Sequence, residues 1–145
     1  MIIQYDPATG KIMQIVSGND SFWTDEVIQD WNTNNPSSIA LKKPDGMTSR
    51  EVFSKLVNLD SLDFMDIQTL SISVDKTQVT ALGTETVTFS NVPEGASIES
   101  DYFQSSPVTM DSTQTLEIDF EDPGNYRFTF KVRGFDWFVQ DILVN

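Results

Sequence analysis

The side chains that could do chemistry in this sequence are mainly carboxylates, because histidine and cysteine are both absent. Their absence excludes Ser/His and Cys/His nucleophilic catalysis, imidazole bases, disulfides and zinc sites built on these ligands. The acidic cluster Glu117, Asp119, Glu121 and Asp122 could supply the pair of carboxylates that a glycosidase needs. These residues fall at the end of a predicted strand and in its loop, where acidic side chains are commonly solvated. We therefore expect no enzymatic activity and no bound cofactor.

Calcium is the metal that oxygen ligands alone could hold. Three acidic loops provide candidates: Gly18–Asp20, the series Asp60, Asp63 and Asp66, and Glu121–Asp122. None has the EF-hand pattern of acidic residues at alternate positions around a central glycine. We interpret all three as solvated loops and assign no metal site.

The net charge of −13 argues against nucleic acid as a partner, because a phosphate backbone would be repelled. Only four cations follow residue 70, and three of them, Arg127, Lys131 and Arg133, fall on one face of a predicted strand. This basic stripe is a candidate docking surface for an acidic partner. The alternative is that these cations pair with carboxylates on neighbouring strands.

The aromatic residues, 11% of the chain, could line a sugar-binding platform or fill the core. We expect Trp23 and Trp31 to close the N-terminal part over its own core and, together with Phe53, to meet another subunit or partner protein. Trp137 and Phe138 are adjacent, so in a terminal strand they would point to opposite faces and one would be available for a subunit contact.

The first 69 residues show the signals of a small α+β region. Ile2–Tyr5 and Lys11–Val16 flank a Pro- and Gly-containing turn and predict a β-hairpin. Thr24 is placed to cap a short helix, and Thr48 with Glu51 has the spacing of a capping box before a second helix whose apolar stripe would include Leu56. The segment 58–67 reads as a connector with one short strand.

From residue 70 the pattern changes to short alternating runs separated by turns, which is typical of a β-sandwich. The clearest strand is 126–133, where Tyr126, Phe128 and Phe130 alternate with polar residues. The segment Asp122–Tyr126 has the spacing of a tyrosine corner, which makes Tyr126 a structural residue. In the last stretch, 135–144, the apolar alternation changes phase, and we expect a β-bulge near residues 140–141. No window is apolar enough to span a bilayer, and the first residues lack the pattern of a signal peptide.

Three motifs in the second half, "SVDKTQVTA", "ETVTFSNVPEGASI" and "EDPGNYRFTFKVRGFDWFVQDILV", resemble the C-terminal immunoglobulin-like domain of small structural proteins of tailed bacteriophages. The opening "YDPATGKI" is similar to the N-terminal hairpins of small phage tail and virion proteins. The sequence departs from the family pattern at Asn91, where a glycine is usual, and at Leu82-Gly83, where a charged residue often precedes the glycine.

The expected fold is mainly β: an immunoglobulin-like β-sandwich over residues 70–145, preceded by a small α+β region over residues 1–69 that is the candidate for virion attachment. The resemblance implies a non-enzymatic structural component of the phage particle, either capsid decoration or tail-associated, made in the host cytoplasm. Its partners would be other virion proteins and further copies of itself, with a trimer expected from the habits of phage decoration and fibre proteins. The alternative is a carbohydrate-binding or adhesive immunoglobulin-like module.

Overall fold

A computed structural model describes residues 1–104 and 106–145 of the chain. The fold is mainly β, as predicted, and includes the expected β-sandwich. The chain divides into two compact units. The first consists of Met1–Gln68 with Arg133–Asp136, and the second of Thr69–Val132 with Trp137–Asn145.

A three-stranded antiparallel sheet forms the centre of the first unit. Its strands are β1 (Ile2–Tyr5), β2 (Ile12–Val16) and β3 (Ile39–Lys42), in the order β2-β1-β3. The β1–β2 pair confirms the predicted hairpin. The register of the pair shifts between Gln4 and Tyr5, so β2 carries one extra residue there.

The hairpin turn is held by its own side chains. The carboxylate of Asp6 accepts from the backbone N–H of Ala8 at 3.0 Å and from the hydroxyl of Thr9 at 2.7 Å. Gly10 follows with φ +84°, and a Cβ at this position would overlap the backbone oxygen of Val57. Glycine adopts a positive φ without strain and has no Cβ to overlap Val57, so this turn requires glycine at position 10.

Both predicted helix starts are confirmed. In α1 (Asp25–Asn34), the hydroxyl of Thr24 accepts from the backbone N–H of the third helical residue. In α2 (Ser49–Phe53), Thr48 and Glu51 form the complete capping box. The second helix is shorter than the apolar stripe suggested, since Leu56 belongs to the following strand rather than to the helix.

The ribbon of β4 (Lys55–Val57) and β5 (Phe64–Asp66) completes the first unit, and β5 is the short strand expected in the 58–67 connector. Neighbouring residues of β1 point to opposite faces of the sheet. Ile2 packs in a cluster with Trp23 beside α1, whereas Ile3 packs in a second cluster with Val52 and Val57. The central strand is therefore covered on both faces, which explains why all four of its residues are buried.

The second unit is a sandwich of two sheets. Its three-stranded sheet has the order β11 (Thr115–Asp119), β8 (Thr86–Ser90), β6 (Ser73–Val74). Its five-stranded sheet has the order β10 (Val108–Thr109), β9 (Ser97–Ser100), β12 (Gly124–Lys131), β13 (Phe138–Val144), β7 (Gln78–Val79). A 3₁₀ helix, Asp101–Phe103, follows β9.

Phenylalanines join the two sheets. The ring of Phe89 on β8 lies 5.3 Å from that of Phe128 and 5.0 Å from that of Phe130 on β12, between ring centroids. All three side chains are fully buried. The inward alternation predicted for the strand at 126–133 is confirmed, although β12 itself ends at Lys131.

The predicted tyrosine corner is present. The hydroxyl of Tyr126 donates to the backbone oxygen of Asp122 at 3.1 Å. A second, unexpected bond of the same kind joins the hydroxyl of Tyr102, in the 3₁₀ helix, to the backbone oxygen of Asp119 at 2.8 Å.

The predicted bulge in the last strand is wrong. The β12–β13 register runs without a shift from Gly124 opposite Val144 to Phe130 opposite Phe138. Gln140 occupies an inward position of β13, between Phe138 and Ile142. Because a polar residue stands where the alternation requires an apolar one, the sequence pattern of apolar residues changes phase although the strand does not. The strand is not a free edge along its whole length, since β7 pairs in parallel with its last two residues.

Candidate interaction surfaces

The outward face of β12 carries the first two cations of the predicted basic stripe, and both are paired. Arg127 and Asp141 are direct cross-strand partners, joined by two bonds of 2.7 and 3.0 Å from the guanidinium to the two carboxylate oxygens. This bidentate hydrogen bond, together with the positive charge, lowers the pKa of Asp141, and the same contact raises the pKa of Arg127.

Lys131 has two partners. Its ammonium lies 2.9 Å from a carboxylate oxygen of Glu99 on β9 and 4.2 Å from the ring centroid of Trp137. The second distance is within the range of a cation–π interaction. The alternative of cross-strand charge pairing is therefore confirmed for Arg127 and Lys131; docking of an acidic partner on this face stays a prediction.

Arg133 does not belong to this face. It follows the end of β12, is assigned to the first unit, and its guanidinium lies 2.6 Å from a carboxylate oxygen of Asp60 in that unit. The expectation of three cations on one strand was wrong because the alternating pattern continues for two residues past the last strand residue.

A shallow groove of about 600 Å³ runs beside the paired charges of the sandwich. Glu99, Asn125, Arg127 and Thr129 form its sheet side. The groove offers amide, hydroxyl and carboxylate groups but no net cationic surface, because Arg127 is already bound to Asp141. Arg127 therefore does not make the groove a site for an anion.

Trp23 and Trp31 pack in the core of the first unit, as predicted. Trp23 is only 8% exposed and belongs to the cluster beside α1, against which Trp31 also packs. The indole N–H of Trp31 donates to the backbone oxygen of Ser38 at 3.2 Å. Neither residue presents its ring freely, so their predicted role in closing the core is confirmed, and their role in a subunit contact stays a prediction.

Two phenylalanines of the first unit are exposed. Phe53, a predicted contact residue, is 50% exposed at the end of α2. Phe22, which the sequence reasoning missed, is 61% exposed, and its ring lies edge-on to that of Trp23 at 5.0 Å. The adjacency of Phe22 and Trp23 could have indicated this exposure, because a residue next to a core tryptophan can remain in solvent.

Trp137 and Phe138 do not lie on opposite faces of one strand, as predicted, because β13 begins at Phe138. Phe138 packs on the sandwich core, with its ring 5.7 Å from that of Phe130. The outward apolar residues of the strand are Val139 and Leu143, each nearly half exposed.

The acidic loops considered for calcium have protein partners at several positions. Asp60 pairs with Arg133, and Asp66 pairs with Lys55. Within the part of the chain that the structure describes, no three potential ligand residues come together at a metal site. No helix formed by the described residues is long and apolar enough to cross a membrane.

No family model and no curated protein matches the chain. A solved structure of a polysaccharide lyase is similar at 19% identity and a TM-score of 0.38, over 74% of this chain and 14% of the lyase. The chain thus spans a small part of the lyase, and a similarity this low carries no argument about function.

Proposed function

We propose that the protein is a non-enzymatic structural component of a tailed-bacteriophage particle, as capsid decoration or as a tail-associated protein. In this proposal the first unit attaches to other virion proteins, and the sandwich is presented outward. The observation that carries the attachment role is the exposure of Phe22 and Phe53, which leave half or more of their surface in solvent. Large aromatic side chains are typical of the anchoring positions of protein interfaces.

An immunoglobulin-like topology for the sandwich is part of the proposal. The order β11-β8-β6 corresponds to strands E, B and A of the immunoglobulin fold, and β9-β12-β13 corresponds to strands C, F and G. The bond from Tyr126 to the backbone upstream supports the same assignment, because tyrosine corners are characteristic of these sandwiches.

Charge supports assembly on a particle rather than spontaneous association. A net charge of −13 on 145 residues keeps free copies apart by mutual repulsion. We propose that copies meet only when a virion protein offers the attachment site, and that the assembled form is a symmetric trimer.

Mass spectrometry of purified particles tests this function, with the protein expected at a stoichiometry of many copies per particle. Phe53→Ser should lower its occupancy on the particle by at least tenfold, whereas Ser49→Ala, at an exposed position of the same helix, should leave occupancy unchanged. Absence of the protein from particles that are otherwise complete would refute the proposal. Equal occupancy of the two variants would refute attachment through Phe53.

A further inference from the structure

A cavity of about 420 Å³ lies in the first unit, beside Trp23. We call it the indole cavity. Its wall includes Gly18 and Trp23, and its rim carries Asp20, Lys42, Lys43 and Asp45. The volume is within the range of about 300–1,000 Å³ that is usual for small-ligand sites.

The indole N–H of Trp23 is buried at this cavity without an acceptor. The side chain is 8% exposed, and no described residue accepts a hydrogen bond from Nε1. A buried donor without a partner costs free energy, and native structures rarely leave one. By contrast, the indole N–H of Trp31 is satisfied by Ser38. The difference marks Nε1 of Trp23 as a position where an external acceptor would be stabilised.

Gly18 leaves room beside this donor. A Cβ at Gly18 would lie 3.0 Å from Nε1 of Trp23, which is the distance of a hydrogen-bond acceptor. Gly18 does not have a positive φ, so backbone conformation does not require glycine here. A methyl group at Gly18 would therefore crowd the approach of a ligand oxygen to Nε1.

The rim selects the class of ligand. The rim carries three cations, the ammonium of Met1 and two lysines, and all three are engaged. The Met1 ammonium binds Asp20, and Lys42 binds Asp25 at 2.6 Å. Lys43 donates to the backbone oxygens of Pro44, at 3.1 Å, and of Met47. The charge of Lys43 has no carboxylate partner among these contacts, but an anion beside it would also meet the carboxylates of Asp20 and Asp45. A hydroxyl group suits the site better, since it accepts from an N–H and donates to a carboxylate.

We infer that the indole cavity binds a neutral, hydroxyl-rich ligand, and that this ligand is a glycan. One sugar hydroxyl accepts from Nε1 of Trp23, and others donate to Asp45 and Asp20 at the rim. Phe22, which is exposed and packs edge-on to Trp23, offers an apolar surface for the C–H face of the next sugar ring. This site does not depend on the proposed structural role, because glycan binding and presence in the particle are measured separately.

The test is a titration of the ¹⁵N-labelled full chain with neutral oligosaccharides (maltotriose, cellotriose and chitotriose), followed through the indole N–H resonance of Trp23. The resonance, assigned by its loss in Trp23→Phe, should shift with saturation, while those of Trp31 and Trp137 stay in place. Gly18→Ala should weaken binding by up to about tenfold, because its methyl group crowds the ligand's acceptor atom and the loss of one hydrogen bond is worth up to about tenfold. Ser17→Ala, at the exposed neighbouring position, is the matched control and should bind as the parent does.

Three results would overturn the inference. No shift with any of the oligosaccharides would mean that the N–H is satisfied by water. A shift with inorganic phosphate or sialyllactose but not with neutral sugars would assign the site to anions. Equal affinity of Gly18→Ala and Ser17→Ala, with both variants folded as judged by their amide spectra, would place the glycan elsewhere.

Discussion

Removal of the Tyr126 hydroxyl tests how the sandwich is held together. The hydroxyl donates to Asp122 at 3.1 Å, and the ring packs 5.0 Å from that of Phe120. Because Tyr126 is half-buried, water can replace part of the lost bond in the variant. Tyr126→Phe should lower the free energy of unfolding by about 0.5–1.5 kcal/mol, rather than the roughly 1–3 kcal/mol of a fully buried group. For a unit of about 70 residues this is a fall in Tm of roughly 2–12 °C.

Two other tyrosines give matched variants for the same assay. The Tyr102 hydroxyl makes the shorter bond, 2.8 Å to Asp119, so Tyr102→Phe should cost as much or more. Tyr5 is buried, and its hydroxyl has no hydrogen-bond partner among the contacts of the described chain, so Tyr5→Phe should change stability by less than about 0.5 kcal/mol. Urea unfolding followed by tryptophan fluorescence and circular dichroism measures all three. Equal stability of Tyr126→Phe and the parent, alongside a clear loss in Tyr102→Phe, would refute the corner as a stabilising contact.

Three further predictions follow from local geometry. Gly10→Ala should destabilise the first unit by about 3 kcal/mol or more in urea unfolding, because its Cβ would overlap the backbone oxygen of Val57. Gly46 has a similar φ but open space around it, so Gly46→Ala should cost only about 1 kcal/mol. Equal losses in the two variants would contradict the overlap. The Asn32 side chain covers the edge of β3: its oxygen accepts from the backbone N–H of Ala40 at 2.6 Å, and its amide donates to the backbone oxygen of Ala40 at 3.1 Å. Asn32→Ala should therefore expose this edge and increase self-association measured by light scattering. A variant that stays monomeric would count against that role. Arg127→Gln should raise the pKa of Asp141 toward its usual value, as measured by a carboxylate NMR titration. A lowered pKa contributes stability that is lost as pH falls through it, so the parent should lose more stability than Arg127→Gln between neutral pH and a pH below the usual range of Asp. Equal losses would show that the pair does not contribute.

Local rules account for what the sequence predicted correctly. A helix start depends on one side chain and the backbone N–H groups just after it, so Thr24 and Thr48 could be identified without knowing the rest of the fold. The tyrosine corner is equally local, because its hydroxyl reaches back four residues. Alternation along β12 also needs only the strand itself, given that one face must be buried.

The errors at the end of the chain have a different origin. An inward Gln140 breaks the apolar alternation, and a pattern cannot distinguish a polar residue on the inner face from a bulge that moves the apolar residues to the other face. Trp137 was misplaced for the same reason, since the point at which β13 begins depends on its pairing with β12 and not on its own composition. The exposed Phe22 was missed because exposure is decided by packing in three dimensions.

The connection between β12 and β13 shows why the candidate surfaces were harder to predict than the fold. Arg133 and Asp136 are close in sequence to the basic stripe, yet both find their ionic partners in the first unit, in Asp60 and Lys11, at distances of 2.6 Å. Sequence spacing places a charge on a face only while the strand continues. Beyond the end of the strand the partner can lie far away in sequence, as for Lys11 and Asp136, which are 125 residues apart. Exposed ion pairs contribute little stability, so composition places no strong constraint on which carboxylate is chosen. Docking surfaces inferred from charge patterns are therefore reliable only over the residues that share one regular element.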